Sequence, residues 1–317
     1  MQRISNNKNI IRKKAFITMH VKDRTLYSDA IYDNYIFSSD IHGTLETLEF
    51  IKNAKRDFPK AQFVGGGDYI DGRKHSREVC NFMMNEANNN SVILNGNHEE
   101  MMLDFADGKD IYEAGQEPLW YFNGAKKTIR SFFGRGYSKI KTAQFVKNSK
   151  YYEFFKNNII MYVTPYIIFV HGGIIPDADF DNPAKYDNYD YFRLWARGEY
   201  IFGNKAYFAD NYTGHAIISG HTPTTYIHGK FQDERVMPET SENHCNVKII
   251  KNEAQPIRVF TDGGCHSSIP ENKGNVTVHD KFGHVVAVYN SDYPNGINFK
   301  QYIEKYGQDN IFGTNFE

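Results

Sequence analysis

Short apolar runs alternate with amphipathic segments through the first third of the chain. Runs at residues 35–37, 62–64 and 92–94 are too short for helices and predict buried strands. Behind them, apolar side chains recur at helical spacing from about residues 45 and 79, and residues 99–105 predict a further short helix. Strands that alternate with helices in this way indicate βαβ units, and therefore an α/β fold built on a parallel sheet.

The pattern changes after residue 105. Residues 105–160 are rich in Phe, Tyr and Lys and predict helices at 128–133 and 151–157, which we interpret as a helical cap insertion. Beyond this segment the chain predicts mainly strands, at residues 166–170, 216–219, 257–261 and 284–289. Residues 228–250 lack periodicity and predict an exposed loop. Because there is no internal repeat or low-complexity linker, residues 1–317 are expected to form a single domain, with residues 1–33 as an N-terminal extension.

The composition favours a packed core and gives no general attraction to nucleic acid or membrane. Of the 317 residues, 40% are hydrophobic and 15% aromatic, which is too apolar for a disordered chain. The net charge is −1, and no basic strip interleaved with aromatic residues signals nucleic-acid binding. No signal peptide is recognised, and no apolar run approaches the roughly 20 residues of a membrane helix. Cys80, Cys245 and Cys265 are odd in number and far apart, which favours a reducing, cytoplasmic location over a disulfide framework.

Polar segments rich in glycine follow five of the apolar runs, where a strand gives way to a loop. In chain order they are Asp40-Ile-His42-Gly43, Gly67-Asp68-Tyr-Ile-Asp71, Gly96-Asn97-His98-Glu99, Val170-His171-Gly172-Gly173 and Ser219-Gly220-His221-Thr222. In open α/β sheets, ligands collect beyond the carboxyl ends of the strands. The segments together offer carboxylate, imidazole and amide donors. Two divalent transition metals about 3.5–4 Å apart would share such a set.

Ligand chemistry suggests how these donors divide between two metal ions. Asp68 is the central candidate, because a carboxylate can bridge two ions with its two oxygens. Asp40 and His42 could both turn toward the first ion, and the second would be completed by Asn97, His171 and His221. Carboxylate with neutral imidazole suits Mn, Fe, Zn or Ni better than Ca. The ions would lower the pKa of a shared water, so that a bridging hydroxide exists near neutral pH and can attack a phosphate.

Three further residues are candidates for proton transfer and phosphate binding. His98 directly follows Asn97, so it would sit beside the metals without binding them and could protonate the leaving group as general acid. Asp71 could accept a hydrogen bond from His98 and fix its tautomer. Arg197, in Leu194-Trp-Ala-Arg197, is the first candidate for a phosphate-binding fork, with Arg193 as the substitute.

These motifs resemble those of the calcineurin-like metallophosphoesterases, and within them the bacterial and phage branch of the PPP-type serine/threonine phosphatases. That branch includes symmetrical diadenosine tetraphosphatases. The family pattern D-x-H-G, G-D-x-x-D-R-G, G-N-H-E, H-G/A-G and G-H-T-P is matched almost throughout. Trp120 to Ser131, Leu194 to Arg197 and Asp262-Gly-Gly-Cys265 are similar to further stretches of the branch, so the resemblance covers about residues 34–290.

The resemblance implies a fold of two stacked mixed β-sheets flanked by helices, an αββα sandwich with a helical cap. It repeats the assignment reached from ligand chemistry, including Asp68 as the shared ligand. It also implies His98 as general acid oriented by Asp71, and Arg197 as the residue that grips the phosphate. The expected cofactor is a pair of divalent ions, with manganese preferred.

One position departs from the family pattern. Gly72 holds the place of the phosphate-contacting arginine in G-D-x-x-D-R-G, and Arg73 follows it. On an extended backbone this displacement would point the Arg73 side chain the other way. A turn at the glycine could instead let Arg73 reach the phosphate, and both alternatives remain open.

Four functions compete. The first is a serine/threonine protein phosphatase acting on phosphorylated protein through an open site. The second is a dinucleoside polyphosphate hydrolase of the diadenosine tetraphosphatase kind, whose nucleoside could stack on residues 120–122. An RNA phosphodiesterase or phosphatase is disfavoured by the neutral charge. A catalytically inactive binding module is disfavoured because every ligand and the general acid are present.

Overall fold

The computed structural model of the protein describes residues 19–110, 116–174, 189–197, 200–201, 214–227, 247–252, 255–267, 274–306 and 311–313. The strands within these ranges are β1 (Met19–Lys22), β2 (Thr25–Ser28), β3 (Asn34–Ser38), β4 (Gln62–Gly65), β5 (Val92–Ile93), β6 (Met161–Val163), β7 (Ile167–Val170), β8 (Ala216–Ser219), β9 (Lys248–Asn252), β10 (Gln255–Phe260), β11 (Val276–Asp280), β12 (Val285–Tyr289), β13 (Ile297–Asn298) and β14 (Ile311–Gly313). The helices are α1 (Leu45–Asp57), α2 (Ser76–Asn88), α3 (Asn97–Asp107), α4 (Leu119–Phe122), α5 (Ala125–Phe133), α6 (Lys139–Lys147), α7 (Lys150–Lys156), α8 (Tyr189–Trp195) and α9 (Phe299–Tyr306).

The strands form two mixed sheets, as the resemblance implied. The larger sheet has the order β1-β2-β6-β7-β8-β10-β9-β14, and the smaller has the order β13-β12-β11-β3-β4-β5. Strands β3, β4 and β5 run parallel to one another, and β7 is parallel to β8. The carboxyl ends of these parallel strands lead into the five polar segments, which agrees with the predicted placement.

The two sheets are held together by aromatic packing between their facing strands. Tyr35 and Phe37 of β3 lie with their ring centroids 5.4 and 5.7 Å from that of Phe169 in β7. The intervening Ile36 belongs instead to the cluster that includes Leu48 and Ile51 of α1. Because side chains alternate across a strand, β3 is buried on both faces, by the second sheet and by helices. This layering is that of an αββα sandwich.

The strands and helices predicted up to residue 105 are confirmed, and so is the helical character of the cap segment. Helices α5 and α7 match the two stretches predicted there, and α4 and α6 are two further helices of the segment. The helix predicted at 99–105 is longer than expected, since α3 begins at Asn97 and therefore includes Asn97 and His98. Within the described ranges, every helix is too short or too polar to span a bilayer.

One expectation needs correction. The predicted end of the loop at residue 250 is wrong, because β9 begins at Lys248 and its residues Ile249 and Ile250 are buried. Residues 228–246 of that segment lie outside the described residues. Part of the N-terminal extension is also strand, since β2 pairs in parallel with β6. That the whole chain forms a single domain stays a prediction.

Candidate metal centre

The centre is organised around the Asp68 carboxylate, in the loop after β4. Its Oδ2 atom lies 3.5 Å from His42 Nε2, 3.8 Å from His98 Nε2 and 3.4 Å from His171 Nε2. Asp68 is 2% exposed and all three imidazoles are buried. The chain therefore brings one carboxylate from the smaller sheet to histidines that follow β3, β5 and β7.

Two groups of donor atoms lie close enough together to hold a metal ion. One is formed by His42, Asp68 and His98, and the other by Asp68, His171 and His221, with Asp68 common to both. Asn97 belongs with the second group, because its Oδ1 lies 2.9 Å from His171 Nε2.

Asp40 is placed next to these groups rather than within them. Both of its carboxylate oxygens accept a hydrogen bond from the backbone N–H of His221, at 3.1 and 3.0 Å. Desolvation by burial raises the pKa of Asp40 to about 6, and the neighbouring Asp68 carboxylate acts in the same direction. A nearby cation would reverse both effects.

The histidines are oriented with one ring nitrogen free for a ligand. His42 Nδ1 donates to the carbonyl oxygen of Ile70 at 2.8 Å, and His171 Nδ1 donates to that of Gly66 at 2.9 Å. Nε2 of each ring therefore faces Asp68. It is a lone-pair donor in the neutral ring of His42, and it would become one in His171 if a metal ion displaced the proton there. His221 Nε2 is buried and has no hydrogen-bond partner within the described chain. A buried ring nitrogen without a partner, beside carboxylate and amide oxygens, fits a transition-metal site.

The pKa values also reflect the need for positive charge here. Burial lowers the pKa of His42 and of His221 well below the usual value, which keeps both rings neutral. Burial opposes the charge of His171 as well, but the Asp68 carboxylate outweighs it and raises the pKa of His171 to about 9. Burial would raise the pKa of Asp68, yet the neighbouring histidines, His171 and His98 foremost, hold it well below its usual range. A divalent cation among these groups would compensate the negative charge of Asp68, as the proton on His171 does without a metal.

The expected hydrogen bond between His98 and Asp71 is present. His98 Nδ1 donates to Asp71 Oδ2 at 2.8 Å. The same oxygen accepts from Trp120 Nε1 at 3.1 Å, and Asp71 Oδ1 accepts from the Thr128 hydroxyl at 2.6 Å. Burial alone would lower the pKa of His98. The Asp68 and Asp71 carboxylates outweigh this effect and raise the pKa to about 9. Helices α4 and α5 of the cap therefore fix the carboxylate that fixes His98.

The two arginine candidates differ in position. Arg197 is exposed, and its Nη1 donates to the carbonyl oxygen of His221 at 2.9 Å and to the Thr222 hydroxyl at 3.3 Å. Arg193 is 5% exposed and is used inside the protein, donating to Thr25 Oγ1 and to the Asp190 carboxylate at 2.6 Å each. Arg197 therefore lies beside His221, whereas the guanidinium of Arg193 is buried and used elsewhere; phosphate binding by Arg197 stays a prediction.

The backbone turns at Gly72, which has a φ of +64°. A Cβ there would lie 2.8 Å from His42 Cβ, so this turn requires glycine on both counts. Arg73 N donates to the carbonyl oxygens of His42 and Asp71 at 2.7 Å each, and Arg73 Nε donates to that of Cys265 at 3.1 Å. The guanidinium is thus held against Cys265, and contact with a phosphate stays a prediction.

Left-handed backbone is concentrated among the candidate residues. Asp40, His42, Asp68, Asp71 and His221 have φ between 46° and 65°. Such a conformation costs about 1–3 kcal/mol per residue for L-amino acids, somewhat less for Asp, Asn and His. Strain of this kind persists only where surrounding contacts enforce it, and it clusters at functional sites.

A family profile described as calcineurin-like phosphoesterase matches residues 34–250. No curated protein matches the chain significantly. Three solved structures illustrate the likeness in fold. A candidate diadenosine tetraphosphatase is 11% identical, with 84% of this chain and 97% of that chain covered and a TM-score of 0.48. A cold-active protein-tyrosine phosphatase from a psychrophilic Shewanella species is 15% identical, with coverages of 88% and 82% and a TM-score of 0.49.

The third is a protein serine/threonine phosphatase from Saccharomyces cerevisiae with similarity to human phosphatase PP5. It is 17% identical, with 83% of this chain and 78% of that chain covered and a TM-score of 0.46. Identities and TM-scores this low carry no information on the substrate of this chain.

Sequence reasoning assigned no role to Glu99, the last residue of the Gly96-Asn97-His98-Glu99 segment. Its carboxylate is fully buried and accepts from the backbone N–H groups of Asp68 (2.8 Å), Tyr69 (2.9 Å), Ile70 (3.3 Å) and Gly96 (2.9 Å). One side chain therefore pins the loop after β4 to the start of α3. The only sequence signal was an acidic residue at the third position of a helix, which is a capping pattern.

Replacing Glu99 tests whether this carboxylate holds the strained loop. In Glu99→Gln an amide NH₂ takes the place of one acceptor oxygen and faces backbone N–H groups, leaving at least one buried donor without a partner. We expect the free energy of unfolding to fall by about 2 kcal/mol or more, measured by urea denaturation. Glu49→Gln is the matched control, because Glu49 is exposed and pairs with Lys52 on the surface. Equal unfolding curves for the two variants would contradict this role of Glu99.

Proposed function

The chain belongs to the calcineurin-like phosphoesterase family and is a hydrolase of phosphoric esters, and we propose that it is a metal-dependent serine/threonine protein phosphatase. The observation that carries the proposal is the buried Asp68 carboxylate with three histidine nitrogens within 3.4–3.8 Å of its Oδ2. This arrangement is unfavourable without compensating positive charge, and a pair of divalent ions supplies it.

We assign Asp40, His42 and Asp68 to one ion, and Asp68, Asn97, His171 and His221 to the other. Manganese is the proposed metal, and the same donors would accept Fe, Zn or Ni. When bound, two such ions lower the pKa of a water and offset negative charge on phosphate oxygens. Proton transfer to the leaving group and binding of the phosphate are carried out by side chains of the protein.

His98 is proposed as the general acid. Its Nδ1 donates to Asp71, which leaves Nε2 to carry the proton that the departing alkoxide needs. The raised pKa of His98 favours the protonated ring. Trp120 and Thr128 act through Asp71, because their hydrogen bonds fix the carboxylate and thereby the plane of the imidazole.

Arg197 is proposed to bind the phosphate. Its Nη1 is held by the His221 carbonyl and Thr222, while a guanidinium offers five N–H donors in all. The remaining donors of this exposed side chain can take two phosphate oxygens at once. Asn97 and Arg73 are further candidates for substrate contacts.

Protein substrates are preferred over dinucleotides because of the burial of Trp120. Stacking of a nucleoside on residues 120–122 was the expected mark of a dinucleotide hydrolase. Trp120 is 0% exposed and its indole N–H is used by Asp71, so its face is closed to a base. Of that stretch, Phe122 is the residue with a largely exposed ring, at 79%. A dinucleoside polyphosphate hydrolase therefore remains the second candidate, resting on Phe122.

The substrate proposal is tested by initial rates of the Mn²⁺-loaded protein on a phosphothreonine peptide and on diadenosine tetraphosphate. We expect a clear preference for the peptide in kcat/KM, because the Trp120 ring, which was expected to stack on a base, is buried. A strong preference for the dinucleotide would overturn the assignment. Phe122→Ala would then lower the rate on the dinucleotide alone.

The general-acid assignment predicts a dependence on the leaving group. His98→Ala should slow hydrolysis of an alkyl phosphate by about 100-fold or more. Hydrolysis of p-nitrophenyl phosphate should fall much less, because nitrophenolate departs without a proton. Steady-state kcat on both substrates is the measurement. An equal loss on both would assign His98 to the metal site instead, in keeping with the donor group that contains it.

Two further variants serve as comparisons for His98→Ala in that experiment. Trp120→Phe removes the Nε1–H bond to Asp71 together with part of the buried ring, and it should show the same selectivity with a loss of about tenfold. His284→Ala removes an exposed histidine paired with Asp280, outside the centre, and should leave both rates unchanged.

A further inference from the structure

A basic groove borders the loops that carry the candidate ligands. It has a volume of about 760 Å³. Its lining residues are Gly43, Thr44, Leu45, Glu46, Arg73, Lys74, His75, Lys127, Arg130 and Ser131. The groove lies where the starts of α1 and α2 meet one face of α5.

The charge of the groove is unlike that of the chain as a whole. Four of its lining residues are Arg or Lys, and Glu46 is the only acidic one among them, whereas the net charge of the chain is −1. Lys74 and Arg130 are exposed, and neither forms an ion pair with another described residue. Lys127 donates to the carbonyl oxygen of Gly72, which leaves its charge uncompensated by a carboxylate there. Such a concentration of like charge favours an anionic ligand.

The backbone adds positive potential to the same place. Helices α1 and α2 both begin at the groove, at the N-cap residues Thr44 and His75, and neither has a side-chain hydrogen bond that caps it. The N-terminus of a helix carries partial positive charge from its unpaired N–H groups. This field reinforces that of the cationic side chains.

The groove adjoins the candidate centre through the backbone itself. Gly43 directly follows His42, and Arg73 N donates to the carbonyl oxygen of His42 at 2.7 Å. Lys127 precedes Thr128, whose hydroxyl binds Asp71. The groove and the candidate centre are therefore built from adjoining stretches of the same loops and of α5.

We propose that the basic groove binds acidic side chains of the substrate polypeptide that flank the phosphorylated residue. Lys74 and Arg130 are the residues that contact these carboxylates. The inference rests on the proposed function, since it supposes a polypeptide substrate. It predicts that the protein prefers phosphopeptides with Asp or Glu beside the phosphothreonine.

The proposal is tested with Lys74→Ala/Arg130→Ala. At low ionic strength the wild type should show a higher kcat/KM for a phosphothreonine peptide with Asp and Glu flanks than for the same peptide with Ala flanks. The double variant should lose about fivefold or more of that preference, the sum expected for two exposed charge contacts. Its rate on p-nitrophenyl phosphate should be unchanged, and salt should remove the preference of the wild type.

A binding measurement makes the test independent of catalysis. A fluorescein-labelled, unphosphorylated peptide of Asp and Glu residues should bind the wild type, and about fivefold more weakly the double variant, by fluorescence anisotropy. Lys60→Ala/Lys141→Ala removes two exposed cations outside the groove and is the matched control. Equal binding by the double variant and the control, or no binding by the wild type, would overturn the proposal.

The two proposals can fail separately. If the wild type hydrolyses only diadenosine tetraphosphate, yet binds the labelled peptide in a manner that depends on Lys74 and Arg130, the substrate assignment falls and the anion site stands. If phosphopeptides are hydrolysed with no effect of their flanks and no loss of peptide binding in the double variant, the phosphatase stands and the groove is not an acidic-peptide site.

Discussion

The Asp68 carboxylate is almost completely withdrawn from water, and the rest of the centre can be understood as the response to its charge. A buried carboxylate costs several kcal/mol unless opposite charge and hydrogen bonds replace its hydration. Here, three imidazole nitrogens surround Oδ2, while Oδ1 accepts the backbone N–H of His98 at 3.0 Å. Bringing these groups to one point requires the two sheets to be stacked with the carboxyl ends of β3, β4, β5 and β7 together.

That convergence strains the loops, and hydrogen bonds between neighbouring loops offset the strain. The loops after β3 and β4 continue the pairing of their strands, since His42 N donates to the carbonyl oxygen of Asp68 at 3.0 Å and Gly43 N donates to that of Tyr69 at 3.0 Å. Glu99 binds the second loop from the other side. Asp71 is held by Trp120 and Thr128 of the cap, so the cap fixes the orientation of His98 through Asp71.

The sequence predicted the features that are local, and missed those that depend on distant partners. The apolar runs before Asp40, Asp68 and Asn97 were sufficient to predict the strands and the donor atoms, because a strand end and a metal-binding side chain can each be recognised from the local sequence. Nothing local marks the left-handed backbone of these residues, which neighbouring loops enforce. From the sequence, Trp120 resembles a core residue and Glu99 a residue at the start of a helix. Their roles were missed because Asp71, which binds the Trp120 indole, and the loop at residues 68–70, which binds Glu99, lie far away in the chain. Strand β1 is exposed along its whole length, and it is identified by its pairing with β2.

The central claim is that Asp68 is shared by two metal ions. Metal content per chain, measured by elemental analysis after Mn²⁺ loading and dialysis, tests it most directly. We expect about two ions per chain in the wild type, as in two-metal hydrolases, and loss of both in Asp68→Asn, because Asp68 is common to the two donor groups found among the described residues. A single ion in the wild type, or two ions retained by Asp68→Asn, would contradict the account.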